Sequence, residues 1–235
     1  CPNMEIPVRI NNYINKNTEV IIGCAGRTRS IIGTQNLINF GIKNSVRALE
    51  NGTQGWQLAN LKLENNQVRR VNLGKLSPKK LFIEKANLII KKYNLKKVNF
   101  DESIKLYENN SITTYIFDIT ETTSNKTISP NKIIRVPGGQ LIQATDNYIG
   151  VWNAKIILLD DGELVRASMT ATWLKQMGHE AYVYTEKPQK LYKFMKNYTV
   201  KYLIENEKKI TFSKLKTFMN SYLLDVRNSH DYRKL

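Results

Sequence analysis

Residues 19–41, EVIIGCAGRTRSIIGTQNLINFG, constrain this chain more than any other stretch. An apolar run, Val20, Ile21 and Ile22, is short enough for a buried parallel strand, and it ends at Cys24. A six-residue loop follows, Cys24, Ala25, Gly26, Arg27, Thr28 and Arg29, and leads directly into a helical pattern. That pattern sets apolar residues at Ile31, Ile32, Leu37, Ile38 and Phe40, with Gly41 placed to cap the helix at its C-terminus.

Chemistry follows from that geometry. A cysteine where a strand meets a helix N-terminus faces the positive end of the helix dipole and a set of free backbone N–H groups. Arg27 and Arg29 add full positive charge. All three effects favour the thiolate, which is the nucleophilic form. The same cradle suits an anion delivered to the sulfur, or a second sulfur that carries negative charge. An arbitrary strand-end cysteine is more often an inert core residue. The flanking glycine and two arginines reverse that expectation, because a core cysteine needs neither.

The loop CAGRTRS, the helix after it, and residues 46–56, VRALENGTQGW, together resemble the active-site half of a rhodanese (sulfurtransferase) domain from a tandem-domain family. By that resemblance Cys24 accepts a sulfane sulfur and becomes a persulfide. Ala25, Gly26, Arg27, Thr28 and Arg29 then supply the amide cradle and bind the donor, with Arg27 and Arg29 as the anion contacts. The implied reaction moves sulfur from thiosulfate or a persulfide to a thiol or cyanide-like acceptor. The implied fold is α/β, with rhodanese-like parallel sheets flanked by helices, one complete domain and complementary partial domains. Cysteine phosphatases and arsenate reductases also place Cys at a strand end before a helix. Resemblance to those families implies five residues between Cys and Arg, whereas only four (Ala25, Gly26, Arg27, Thr28) separate Cys24 from Arg29. A third class, a binding scaffold without catalysis, stays open.

Residues 154–178, AKIILLDDGELVRASMTATWLKQMG, repeat the opening stretch without a gap. Cys24 aligns with Asp161, Arg29 with Arg166, Leu37 with Leu174, Phe40 with Met177 and Gly41 with Gly178. Upstream, the run from Pro2 to Ile6 pairs with that from Pro137 to Leu141; downstream, Val46 opens a strand matched by Tyr182, Val183 and Tyr184. Residues 97–190 therefore read as a second rhodanese-like domain, its early strand at 115–120 and its loop strand at 155–159. Asp161 cannot carry a sulfane sulfur, and Asp161 with Glu163 would repel an anionic donor. This copy is expected to be structural or regulatory.

Residues 1–75 read as the active-site half of a domain, and residues 76–96 as a linker helix with apolar Leu81, Ile83, Ala86, Leu88, Ile89 and Ile90. Ser77 is its expected N-cap, with Pro78 at the first helical position. Residues 205–235 read as the front half of another domain: residues 210–215 as a strand and helix start, and residues 222–227, YLLDVR, as a match to 115–120. An open edge beside Val20 calls for parallel neighbours. The expectation is that 205–235 complete 1–75, in cis or by complementation between chains, bringing Asp225 and Arg227 toward the loop. The rival expectation is a fragment of a longer tandem protein, in keeping with a first residue that is not Met.

Composition narrows the partners. A hydrophobic share of 41% suffices for a packed core, and no run approaches the ~18 apolar residues of a membrane span. The opening CPNMEIPVRI lacks a basic region followed by an apolar one, so no signal peptide is expected. Two cysteines, Cys1 and Cys24, build no disulfide framework, and a nucleophilic thiol suits a reducing, cytoplasmic compartment. Cys1 reads as an accident of position more than as a resolving thiol. His179 and His230 stand far apart with no cysteine beside them, so no metal or other cofactor is expected. The net charge of +16 comes from scattered lysines on solvated faces, and no nucleic-acid-binding module is legible. The expected partners are a small anionic sulfur donor and a thiol acceptor.

Overall fold

The computed structural model describes residues 1, 3–10, 13–26, 28–66, 79–120, 132–198, 211–215 and 217 of the chain. The chain divides into two compact units, Cys1–Tyr198 and Thr199–Leu235. In the first, α1 (Ile6–Arg9), β1 (Val20–Ile22), α2 (Thr28–Phe40), β2 (Val46–Ala48) and α3 (Gly52–Leu58) precede the helix α4 (Lys79–Lys92). There follow β3 (Lys96–Val98), α5 (Phe100–Glu108), β4 (Thr114–Asp118), β5 (Ile134–Arg135) and α6 (Gly138–Gln143). The unit ends with β6 (Lys155–Leu159), α7 (Val165–Gln176), β7 (Glu180–Tyr184) and α8 (Gln189–Asn197). In the second unit, α9 (Phe212–Leu215) is the described helix, within the segment 210–215 read from the sequence as a strand and helix start. The expected strand at 222–227, with Asp225, Arg227 and His230, lies outside the described residues.

Strands β3-β7-β6-β4-β5 form one parallel sheet in that order. Its central strand shows why the sequence carries a continuous apolar run there. Ile156, Ile157, Leu158 and Leu159 are all fully buried, because helices cover both faces. Ile156 and Leu158 join Phe117 and Val183 in a core with Phe82, Ala86 and Ile89 of α4 and Ala171 and Leu174 of α7. Their neighbours Ile157 and Leu159 point the other way, into a core with Val98, Ile116, Leu191 and Met195. Met4, Val8, Ile32 and Phe40 extend the first of these cores to the segment around the cysteine loop.

Strands β1 and β2 form a separate parallel pair, Val20 opposite Val46 and Ile22 opposite Ala48. The expected strand is therefore present and parallel, but it is not buried throughout: Val20 is buried while Ile21 is 62% exposed. Residues on α2 divide in the same way. Ile32, Leu37 and Phe40 are buried, whereas Ile31 and Ile38 face outward. Gly41 and Gly178 end their helices at φ +80 and +89, in the left-handed region that spares only glycine a steric cost.

Helix α4 packs into the main core through Phe82, Ala86, Ile89 and Ile90. Leu81 and Leu88, expected on its apolar face, are exposed, and Phe82 takes the inward position. The spacing 82, 86, 89 is the stripe that a 3.6-residue period turns toward one neighbour. The expected cap at Ser77 and Pro78 lies outside the described residues. Among the described residues, no helix is long and apolar enough to cross a membrane. No group of three or more His, Cys, Asp or Glu there is placed to hold a metal ion.

Candidate active site

The loop after β1 is shorter than its sequence suggests. Helix α2 begins at Thr28, so Thr28 and Arg29 form its first turn. A second helix, α3, fixes the loop from behind. The amide of Thr53 donates to the carbonyl oxygen of Cys24 at 2.8 Å, and that of Gln54 to the carbonyl of Ala25 at 3.0 Å. No peptide bond among the described residues is cis. A planar trans peptide with its C=O turned toward α3 turns its N–H the opposite way. The N–H of Gly26, paired in one peptide plane with the Ala25 carbonyl, accordingly reaches the Cys24 sulfur.

This close approach explains the glycine in GTQGW. Gly52 is buried with φ +55, and a Cβ there would overlap the carbonyl oxygen of Cys24 and stand 2.7 Å from that of Gly26. Only a residue without a side chain lets α3 come so near. Trp56, from the same motif, donates its indole N–H to the carbonyl of Lys62 and remains 40% exposed.

Cys24 itself is half-buried. Its Sγ lies 3.4 Å from the hydroxyl of Ser30, to which the thiol donates and from which an ionised sulfur accepts. Burial is the largest single influence on the thiol and opposes ionisation. Hydrogen bonds from the Ser30 hydroxyl and amide and the Gly26 amide, with the charge of Arg29, outweigh it and hold the pKa below the usual thiol value. Of the expected cradle, Gly26 supplies its amide and Arg29 its charge. Ala25 and Thr28 are exposed at the loop, and Arg27 lies outside the described residues. Ser30 is the residue that the sequence reading missed. A serine in the first helical turn after such a loop, one position past the last arginine, was the available signal.

The sulfur opens on a cavity of about 620 Å³. Cys24 and Arg29 line one side, with Thr120 and Gln140 from the far half of the unit and with Cys1 and Glu5 from the start of the chain. Cys1, expected to be incidental, thus shares the cavity with Cys24. No carboxylate among the described residues pairs with Arg29.

The aligned loop after β6 is arranged differently. Asp160 is buried and caps α7: one carboxylate oxygen accepts from the amides of Gly162 and Leu164, the other from that of Ala167. Burial, with the nearby charge of Asp161, pushes its pKa up to about 6 against those hydrogen bonds. Asp161, which stands where Cys24 does, binds Nη1 of Arg166 at 2.6 Å. Glu5 holds the rest of that guanidinium, Nη2 donating to Oε2 at 2.6 Å and Nε donating to Oε1. Arg9 Nε donates to Glu5 as well, at 3.1 Å. Burial works against the Glu5 carboxylate, but Arg166 and Arg9 together depress its pKa. The expected open repulsion from Asp161 and Glu163 is therefore not what this loop presents: Asp161 is paired and Glu163 is buried.

No protein-family model matches the chain, and no curated protein matches it. A solved structure does. The thiosulfate sulfurtransferase from Pseudomonas aeruginosa superimposes with a TM-score of 0.73 at 34% identity, over 81% of this chain and 36% of that one. The chain belongs to the rhodanese-like family.

Two other rhodanese-type structures are more loosely similar. A rhodanese homologue from Thermus thermophilus gives a TM-score of 0.31 at 22% identity, over 40% of this chain and 99% of that one. A 3-mercaptopyruvate sulfotransferase from Escherichia coli gives 0.30 at 19%, over 74% and 68%. The rhodanese-like assignment rests on the Pseudomonas comparison, of which this chain spans about a third. Within this rhodanese-like chain, the motifs that carried the resemblance are the Cys24 loop and the Gly52 helix that clasps it.

Proposed function

We propose that this rhodanese-like chain is a sulfurtransferase in which Cys24 carries the sulfur as a persulfide. The single observation behind the reading is the surroundings of the Cys24 sulfur. It accepts from Gly26 and Ser30, lies near Arg29 and faces the cavity. In the first step the thiolate attacks the outer sulfur of thiosulfate, or of a persulfide donor. The donor S–S bond breaks, sulfite or the donor thiolate departs with the electron pair, and Cys24 holds S–S⁻. In the second step a thiolate or cyanide-like acceptor attacks the terminal sulfur and releases the Cys24 thiolate. Arg29, and Arg27 by resemblance, would bind the departing anion, while the loop amides stabilise charge on the terminal sulfur.

The filled guanidinium of Arg166 supports a non-catalytic role for the loop after β6, since Glu5 and Asp161 already occupy it. The test is a mass measurement after incubation with thiosulfate. A gain of about 32 Da, one sulfur atom, is expected on the peptide containing Cys24 and is lost in Cys24→Ser. Thiosulfate–cyanide turnover that survives in Cys24→Ser overturns the reading. Turnover of a phosphate ester in place of sulfur loading favours the phosphatase chemistry instead.

A further inference from the structure

Two short segments meet between the two loops, and their contacts come in matched pairs. A Cβ on Gly139 would overlap the side chain of Asn3, while one on Gly138 would stand 3.2 Å from Met4. A Cβ on Gly33 would touch Asn3 and Ile6, while one on Gly138 would overlap the hydroxyl of Thr170. Exchanging Asn3 with Gly138, Met4 with Gly139 and Gly33 with Thr170 turns each contact into its mate. Asn36 and Trp173, 137 residues apart and at matching places on α2 and α7, hydrogen-bond to each other at 2.9 Å, as residues beside a two-fold axis do. The same exchange carries Glu5 to Gln140 and Arg166 to Arg29. It therefore carries the Glu5–Arg166 ion pair onto Gln140 and Arg29, which line the Cys24 cavity together.

We infer that Gln140 sets the charge selectivity of the Cys24 cavity, deepening the sulfurtransferase reading on which it rests. Where Glu5 fills Arg166 with a carboxylate, Gln140 offers a neutral carboxamide. Arg29 thus keeps its charge for an anionic donor, and the amide N–H of Gln140 is available to the donor's oxygens. A carboxylate at 140 would do to Arg29 what Glu5 does to Arg166, and it would add negative charge facing the sulfur.

The test is Gln140→Glu, read in two ways. In turnover, KM for thiosulfate rises roughly tenfold with kcat little changed, the pattern of lost ground-state anion binding. In chemical labelling, the rate at which anionic iodoacetate alkylates Cys24, divided by that for neutral iodoacetamide, falls by a similar factor. The fall shrinks at 1 M salt, where charges are screened within about 3 Å. Gln140 is exposed, so the variant keeps its thermal transition. An unchanged labelling ratio overturns the assignment, as does a fall that salt leaves intact, which marks bulk rather than charge. A fall in the ratio in a parent whose Cys24 gains no sulfur from either thiosulfate or a persulfide donor upholds Gln140 and overturns the sulfurtransferase reading, so the two fail separately.

Discussion

The backbone amide of Thr53 donates to the carbonyl oxygen of Cys24 over 2.8 Å. Through that bond and its neighbour, from the Gln54 amide to the Ala25 carbonyl, helix α3 decides which way the peptide groups beside the cysteine face, and the second of them turns the Gly26 amide to the sulfur. Gly52 makes the approach possible. Gly52→Ala sets a Cβ on the Cys24 carbonyl at φ +55, and we expect a loss of at least ~2 kcal/mol from strain and displacement. Cys24 should react more slowly with iodoacetamide in the same variant. Chemical denaturation and labelling that both match the parent would show that α3 does not hold the loop.

Ser30 tests the sulfur's own surroundings. Ser30→Ala removes the hydroxyl 3.4 Å from Sγ, one of the groups that lower the Cys24 pKa. The thiol pKa should rise. Because the thiolate reacts, labelling at pH 7 should slow by roughly three- to tenfold, and the rate profile should move to higher pH. A profile that stays in place would assign the depressed pKa to the amides and Arg29 alone.

Arg166 and Glu5 test the buried ion pair. Arg166→Ala leaves the Glu5 carboxylate buried with only Arg9 beside it, and a loss of roughly 3–5 kcal/mol is expected. Pairing Glu5→Gln with Arg166→Gln should recover part of that loss, since neither member of the Glu5–Arg166 pair is then left as an uncompensated charge, although Arg9 loses its carboxylate. The pH dependence has a definite sign. The Glu5 pKa is lower in the folded chain than its ordinary value of about 4.3, so its contribution is complete above that value. It is lost as pH falls through the folded value. Denaturant melts from pH 7 down to pH 3 should show this acid-side loss in the parent, and a smaller one in Glu5→Gln.

The alternation between apolar runs and helical patterns was plain in the chain because each is set by neighbours a few residues apart. Lys155–Leu159 is a strand over the same residues that its apolar run marks, and α7 follows it as α2 follows β1. Which side of an element meets a partner was far less legible. Ile31, Ile38 and Leu88 belong to good helical stripes yet lie outside, since a stripe of many apolar residues does not say which arc another element will cover. Within the site, Cys24, Gly26 and Arg29 were readable because one loop carries them. Ser30 lay just beyond that loop and was passed over.

By itself, then, the sequence determined that a cysteine would stand between a strand and a helix N-terminus, with glycine and arginine beside it. Local hydrogen bonding and side-chain periodicity suffice for that. Only the tertiary structure decided that Glu5 would fill the guanidinium of Arg166, 161 residues away, and that Gln140 and Cys1 would complete the cavity in front of Cys24. Contacts of that separation follow from how whole elements pack, and no local pattern of residues records them.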